Sequence, residues 1–124
     1  MDLSQFQWKH RILFLFAPDA SHPNLIRLQN EIAQQTDAIN ERDLVIFEIV
    51  EKGIRRMDAA PLNRQTAVSI RDHFAVSPKA FTVILVGKDG GVKLRRDEYV
   101  GLAAVFGLID SMPMRKNEMQ QRKQ

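Results

Sequence analysis

These 124 residues contain no cysteine. That absence removes disulfides, thiolate nucleophiles and cysteine metal sites from the chemistry open to the chain, and it leaves the compartment undetermined. Long apolar runs are also missing: none approaches the roughly 20 residues that cross a bilayer. Residues 11–17 are too short for a leader core, and charges precede and interrupt the segment, so no leader is visible. On that reading the chain as given is expected in the cytoplasm, or in the periplasm or secreted where a leader has been removed. Histidine is scarce. His10, His22 and His73 are scattered with no metal-type spacing, so no metal and no cofactor are expected. Internal repeats, low-complexity stretches and a second-domain boundary are absent as well. Residues 1–124 therefore read as one domain with a polar lead-in (1–10) and a basic tail (115–124).

The net charge of +3 is unevenly placed. Four of the 18 basic residues and one of the 15 acidic ones lie from Arg115 onward, leaving 14 of each before it. The high pI belongs to the tail, so the body does not read as a nucleic-acid surface, and a solvated tail would favour an acidic partner only weakly.

With 44% hydrophobic residues the chain can bury an adequate core. Thr82–Val86 is a short run rich in β-branched residues, as suits a strand buried on both faces. Asp89-Gly90-Gly91 supplies hairpin-turn chemistry, since glycine accepts positive φ. Val92–Arg95 then alternates apolar and polar, which predicts an edge strand, with Lys93, Arg95 and Arg96 discouraging further pairing. Arg11–Ala17 and Leu44–Val50 predict two more buried strands, with Glu48 placed near a strand end where it reaches water. Leu25, Leu28, Ile32, Thr36 and Ile39 predict one amphipathic helix over 23–39, capped by Asp19, Ser21 or His22 and opened by Pro23. Residues 51–64 read as a long mixed loop. Residues 65–75 and 100–110 read as helices, the first capped by Asn63 and the second by the 97–99 connector. Trp8 is expected to cover an edge of the core.

The order β-α-β-α-β-β-α, with a crossover helix between two buried strands, implies a parallel pair joined right-handedly and an antiparallel hairpin added to it. That is an α/β, thioredoxin-like fold: a mixed four-stranded sheet with helices on both faces. Two strings, Val-Gly-Lys-Asp-Gly-Gly-Val-Lys (86–93) and Ile-Asp-Ser-Met-Pro-Met-Arg (109–115) followed by Glu118, resemble the DUF4174 family over about residues 6–119. That resemblance implies a thioredoxin-like domain of bacteria, related to modules in vertebrate extracellular proteins of the sushi-repeat-containing and coiled-coil-domain-80 type. It implies no catalytic activity. Redox thioredoxins carry two cysteines just after the first central strand; the matching segment here is Pro18-Asp19-Ala20-Ser21-His22-Pro23. Thiol–disulfide exchange needs a thiolate, so it is closed to this chain. Where redox thioredoxins place a cis-proline, the matching residue is Phe81.

Three stretches are candidate sites, and none supplies catalytic residues. At Asp19, Ser21 and His22 a helix start offers backbone N–H groups to an anion, although Asp19 repels one and capping alone explains the residues. Lys88, Asp89 and Lys93 lie on or beside a glycine-rich turn that lacks the spacing of a phosphate loop. Met112, Met114 and Arg115 combine adaptable apolar side chains with a cation that can pair with Asp110 or anchor the tail on a carboxylate of the body. The last two stretches are the expected contact surface for a protein partner. The leading reading is a non-redox binding module. The alternative is a cysteine-free enzyme or small-molecule binder using the 18–24 corner.

Overall fold

A computed structural model describes residues 3–50, 53–56, 61–62 and 64–123. The elements run β1 (Arg11–Phe16), α1 (Pro23–Gln34), α2 (Thr36–Glu41), β2 (Leu44–Val50), β3 (Gly53–Arg56), β4 (Pro61–Leu62), α3 (Arg64–Phe74), β5 (Thr82–Val86), β6 (Val92–Arg96), α4 (Leu102–Asp110) and α5 (Pro113–Lys123), after a 3-10 turn at Leu3–Gln5. The sheet order is β4-β3-β2-β1-β5-β6. Its centre is the expected mixed sheet: β1 runs parallel to β2 and antiparallel to β5, and β6 completes the hairpin. This is the thioredoxin-like arrangement.

Strand alternation divides the core. Leu13, Leu15, Ile46, Val83 and Leu85 face α1, α2 and α4, whereas Ile12, Phe14, Phe16, Phe47 and Ile84 face α3. Every residue of β1 is buried, as the apolar run Ile12–Phe16 requires, and Arg11 is buried with it.

Several expectations are corrected. Part of the 51–64 loop is sheet: β3 pairs antiparallel with β2, setting Ile54 opposite Ile49, and β4 follows it. The string Gly-Ile-Arg-Arg carries little strand signal, so pairing with a strong neighbour overrides local propensity there. The expected cap Asn63 lies outside the described residues. The helix over 23–39 is two helices broken at Gln35 (φ −124°, ψ 28°). The break falls just before Thr36 and Asp37, side chains that favour a first turn over a helix interior. Glu48 does not reach water: it is buried opposite Leu15 and accepts a hydrogen bond from Gln29 Nε2 at 2.8 Å. Trp8 covers no core. It is 62% exposed in a left-handed conformation (φ 69°), with its backbone N–H donating to the Lys88 carbonyl. Phe6 does the covering instead, edge-on to Phe47 at 5.8 Å.

The α4 cap is also not the 97–99 connector. Gly101 occupies the cap position without a side chain, and Glu31 of α1 reaches across to accept from Leu102 N at 3.0 Å and from the Tyr99 hydroxyl. A carboxylate there also suits the positive end of the helix. Glu31→Ala is therefore expected to cost about 0.5–2 kcal/mol, the usual loss for a cap, in a denaturant titration. A change of under a few tenths would show that the contact contributes nothing.

Candidate functional site

The corner after β1 is filled by local bonding. Asp19 Oδ1 accepts from Ser21 N at 2.9 Å and from Ser21 Oγ at 2.6 Å. Those two bonds, with a smaller contribution from His22, hold the Asp19 carboxyl below its ordinary range. His22 is the cap of α1, with Nδ1 accepting from Asn24 N at 3.2 Å. Its ring stacks on Phe81, with centroids 5.0 Å apart and planes 12° apart. Thus Asp19, Ser21 and His22 lie together, but the carboxylate is committed to Ser21 and the imidazole Nδ1 to the backbone N–H of Asn24. Phe81 closes over the imidazole.

At the opposite end of β1 the two other stretches meet. Residues of the β5–β6 turn (Gly87, Lys88, Asp89), Lys93 of β6 and the α4–α5 junction (Ser111–Met114) line one cleft of about 460 Å³, together with Arg11. Gly90 takes φ +85° in the turn. Asp89 there is tied to Lys93 Nζ at 2.7 Å and to Gly91 N at 2.9 Å, contacts that keep its carboxyl ionised below the usual range. Met114 is 38% exposed on the cleft, whereas Met112 packs partly against the core.

Beneath the cleft lies a set of ion pairs that the sequence hinted at only through Arg115. Far from being a solvated tail, residues 113–123 form α5, and its charges hold it to the sheet. Arg11, 1% exposed, donates from two nitrogens to the two Glu118 oxygens at 3.2 and 3.0 Å. Lys88 Nζ bridges Glu118 (3.0 Å) and Asp43 (2.8 Å). Arg11 also donates to the Arg42 carbonyl at 2.9 Å. The Arg42 guanidinium grips Asp110 through two bonds, at 3.1 and 2.8 Å. Arg115 is 1% exposed and joins Asp110 (3.0 Å) to Glu41 (3.1 Å), so both pairings expected for it occur together. For Glu118, burial pushes the pKa up, but the bonds and charges of Arg11 and Lys88 outweigh burial and the net shift is down. Asp110 behaves the same way between Arg42 and Arg115.

Sequence reasoning missed Arg11, Arg42, Asp43 and Glu41. The signal was a charged residue opening a fully apolar strand, since a buried cation needs a partner. Of the three histidines, His10 and His73 are brought to a second cleft and His22 stays apart. No group of three or more metal-ligating side chains is found among the described residues.

The domain of unknown function DUF4174 matches residues 2–118. The chain belongs to that family. This DUF4174 domain is 28% identical over 133 residues to the coiled-coil domain-containing protein 80 of Danio rerio, covering 94% of the chain and 15% of that protein. It is 33% identical over 121 residues to the human sushi repeat-containing protein SRPX, covering 94% of the chain and 26% of that protein. The domain thus spans only a small part of these relatives' length. Both are vertebrate proteins, which speaks to the modules anticipated there and not to a bacterial source. Among solved structures, the reduced 2-Cys peroxiredoxin of Plasmodium vivax superposes with a TM-score of 0.69 at 15% identity, over 94% of this chain and 72% of that one. Plasmodium yoelii thioredoxin peroxidase I gives 0.65 at 16%, over 94% and 80%. At such identities the likeness is one of fold. No helix among the described residues is long and apolar enough to cross a membrane.

Proposed function

We propose that the DUF4174 domain is a non-redox binding module that meets a protein partner through the cleft between the β5–β6 turn and the α4–α5 junction. One observation carries the reading: two segments about twenty residues apart, each with exposed contact groups, line a single opening of about 460 Å³. Met114 and the Met112–Pro113 step give an apolar wall that adapts to its contact, and Lys93 and Asp89 give a charged rim. Lys88 and Arg115 support this surface from within, because both are buried in ion pairs. With no cysteine in the chain, thiol chemistry has no place in the reading.

The enzyme alternative is disfavoured because Asp19 is bonded to Ser21, His22 Nδ1 caps α1 and Phe81 stacks on the imidazole. A peptide library selected against the chain tests both readings. Binders are expected to lose about tenfold or more in affinity on Met114→Glu, a charge placed in an apolar contact, and to keep it on His22→Ala. Binders that respond to His22→Ala alone would place contact at the corner after β1 and overturn the proposal. So would turnover of a substrate at a rate abolished by changing Asp19, Ser21 or His22.

A further inference from the structure

A second cleft, of about 320 Å³, lies on the other side of the β5–β6 turn. It is walled by the lead-in, the last turn of α3 and the start of β6. Its volume equals that of roughly ten waters at their liquid share, enough for a small ligand. Phe6, Ile12, Phe74, Val86 and Val92 supply an apolar lining. The lead-in forms its lid side, held by Gln7 Nε2 donating to the Asp89 carbonyl at 3.1 Å and by Trp8 N donating to the Lys88 carbonyl.

The polar groups on this cleft are unevenly matched. His10 and His73 both line it. Each ring packs edge-on against a phenylalanine, His10 on Phe6 and His73 on Phe74, and neither imidazole hydrogen-bonds a described residue. An imidazole keeps at least one N–H donor in either protonation state, and the Gln7 amide has a second N–H beyond the one it uses. The cleft's carboxylate, Asp89, has its oxygens engaged by Lys93 and Gly91 N. The lining therefore offers unused donors beside an apolar surface, and a carboxylate is the acceptor-only group that answers them.

We propose that this cleft binds a small monocarboxylate with an aryl or alkyl body, of roughly ten non-hydrogen atoms by volume. The body lies on Phe6, Phe74 and Val92, and the carboxylate takes N–H donors from His10, His73 and Gln7. The site shares Gly87 and Asp89 with the partner surface proposed above but does not depend on that proposal.

The probe is 3-phenylpropionate, titrated into the full chain while backbone amide NMR shifts are followed. Saturable shifts are expected at residues 3–12, 73–74 and 86–92, with a Kd on the order of 0.1–1 mM for a ligand of this size. Val92 is 53% exposed on an edge strand, so Val92→Trp is tolerated and fills the mouth, abolishing binding. His10→Phe keeps the packing against Phe6 while removing the donor, and weakens binding about fivefold, the loss of one hydrogen bond. 3-Phenylpropylamine, which brings donors to donors, binds at least about tenfold more weakly than the carboxylate. Shifts that rise linearly without saturation, shifts centred on residues 112–115, binding that survives Val92→Trp, or equal affinity for the amine overturn the proposal. No effect of His10→Phe overturns it as well.

Discussion

Glu118→Ala is expected to lower the folding free energy by about 2–4 kcal/mol, although Glu118 sits in the last helix. The substitution leaves Arg11, 1% exposed, with only the Arg42 carbonyl and no carboxylate, and takes one of two carboxylates from Lys88, 8% exposed. Removing one member of a buried pair costs about 3–5 kcal/mol, and the lower figure here allows for the Asp43 contact that Lys88 keeps. The pair itself is not a large net stabiliser, since ion desolvation offsets most of its attraction. Arg11→Met combined with Glu118→Leu should therefore recover most of the loss. Urea denaturation followed by circular dichroism measures all three states. A single variant within about 0.5 kcal/mol of the parent, the range of ordinary surface changes, would show that α5 is not held by these charges. The pH dependence follows from the same contacts. Glu118 and Asp110 have folded-state pKa values below their ordinary 4.5 and 3.8. Their stabilisation is complete above those ordinary values and is lost as pH falls through the lower folded ones. Stability should thus decline as pH falls below about 5, and Glu118→Gln should flatten that slope.

Phe14→Ala should cost about 3–5 kcal/mol, a large share of the 5–15 typical of a folded domain. Phe14 is fully buried at the centre of β1. Its ring lies 5.7 Å from Phe47, 5.1 Å from Phe74 and 6.0 Å from Phe16, so truncation opens a void between the sheet and α3. Phe14→Leu retains most of the volume and should cost less than about 1.5 kcal/mol. Guanidinium titrations separate the two. Equal losses for both variants would mean that ring packing rather than volume dominates.

How much of this was legible beforehand follows from which forces are local. The buried strands 11–17, 44–50 and 82–86 announce themselves because a strand covered on both faces must be apolar throughout. The hairpin shows because Gly90 is required where φ is +85°. β3 and β4 do not show, because their pairing energy comes from β2 and not from their own composition. The Glu31 cap of α4 joins residues 71 apart in sequence, beyond any local pattern. The candidate contact residues were visible as two separate strings, and the pairing of β5 with β1 together with the packing of α4 on the core brings them to one opening. The ion pairs below them were hidden for a related reason: residues 11–17 read as one apolar run, and the partner of Arg11 lies 107 residues away.

Trp8 is the chain's one indole, and it projects into water from a left-handed backbone beside the Lys88 carbonyl. Its emission should consequently start near that of the free amino acid and shift little when the interior melts. The same fluorophore rides on the segment that walls the smaller cleft. A change in its quenching or anisotropy would register the seating of that segment, while the core leaves it silent.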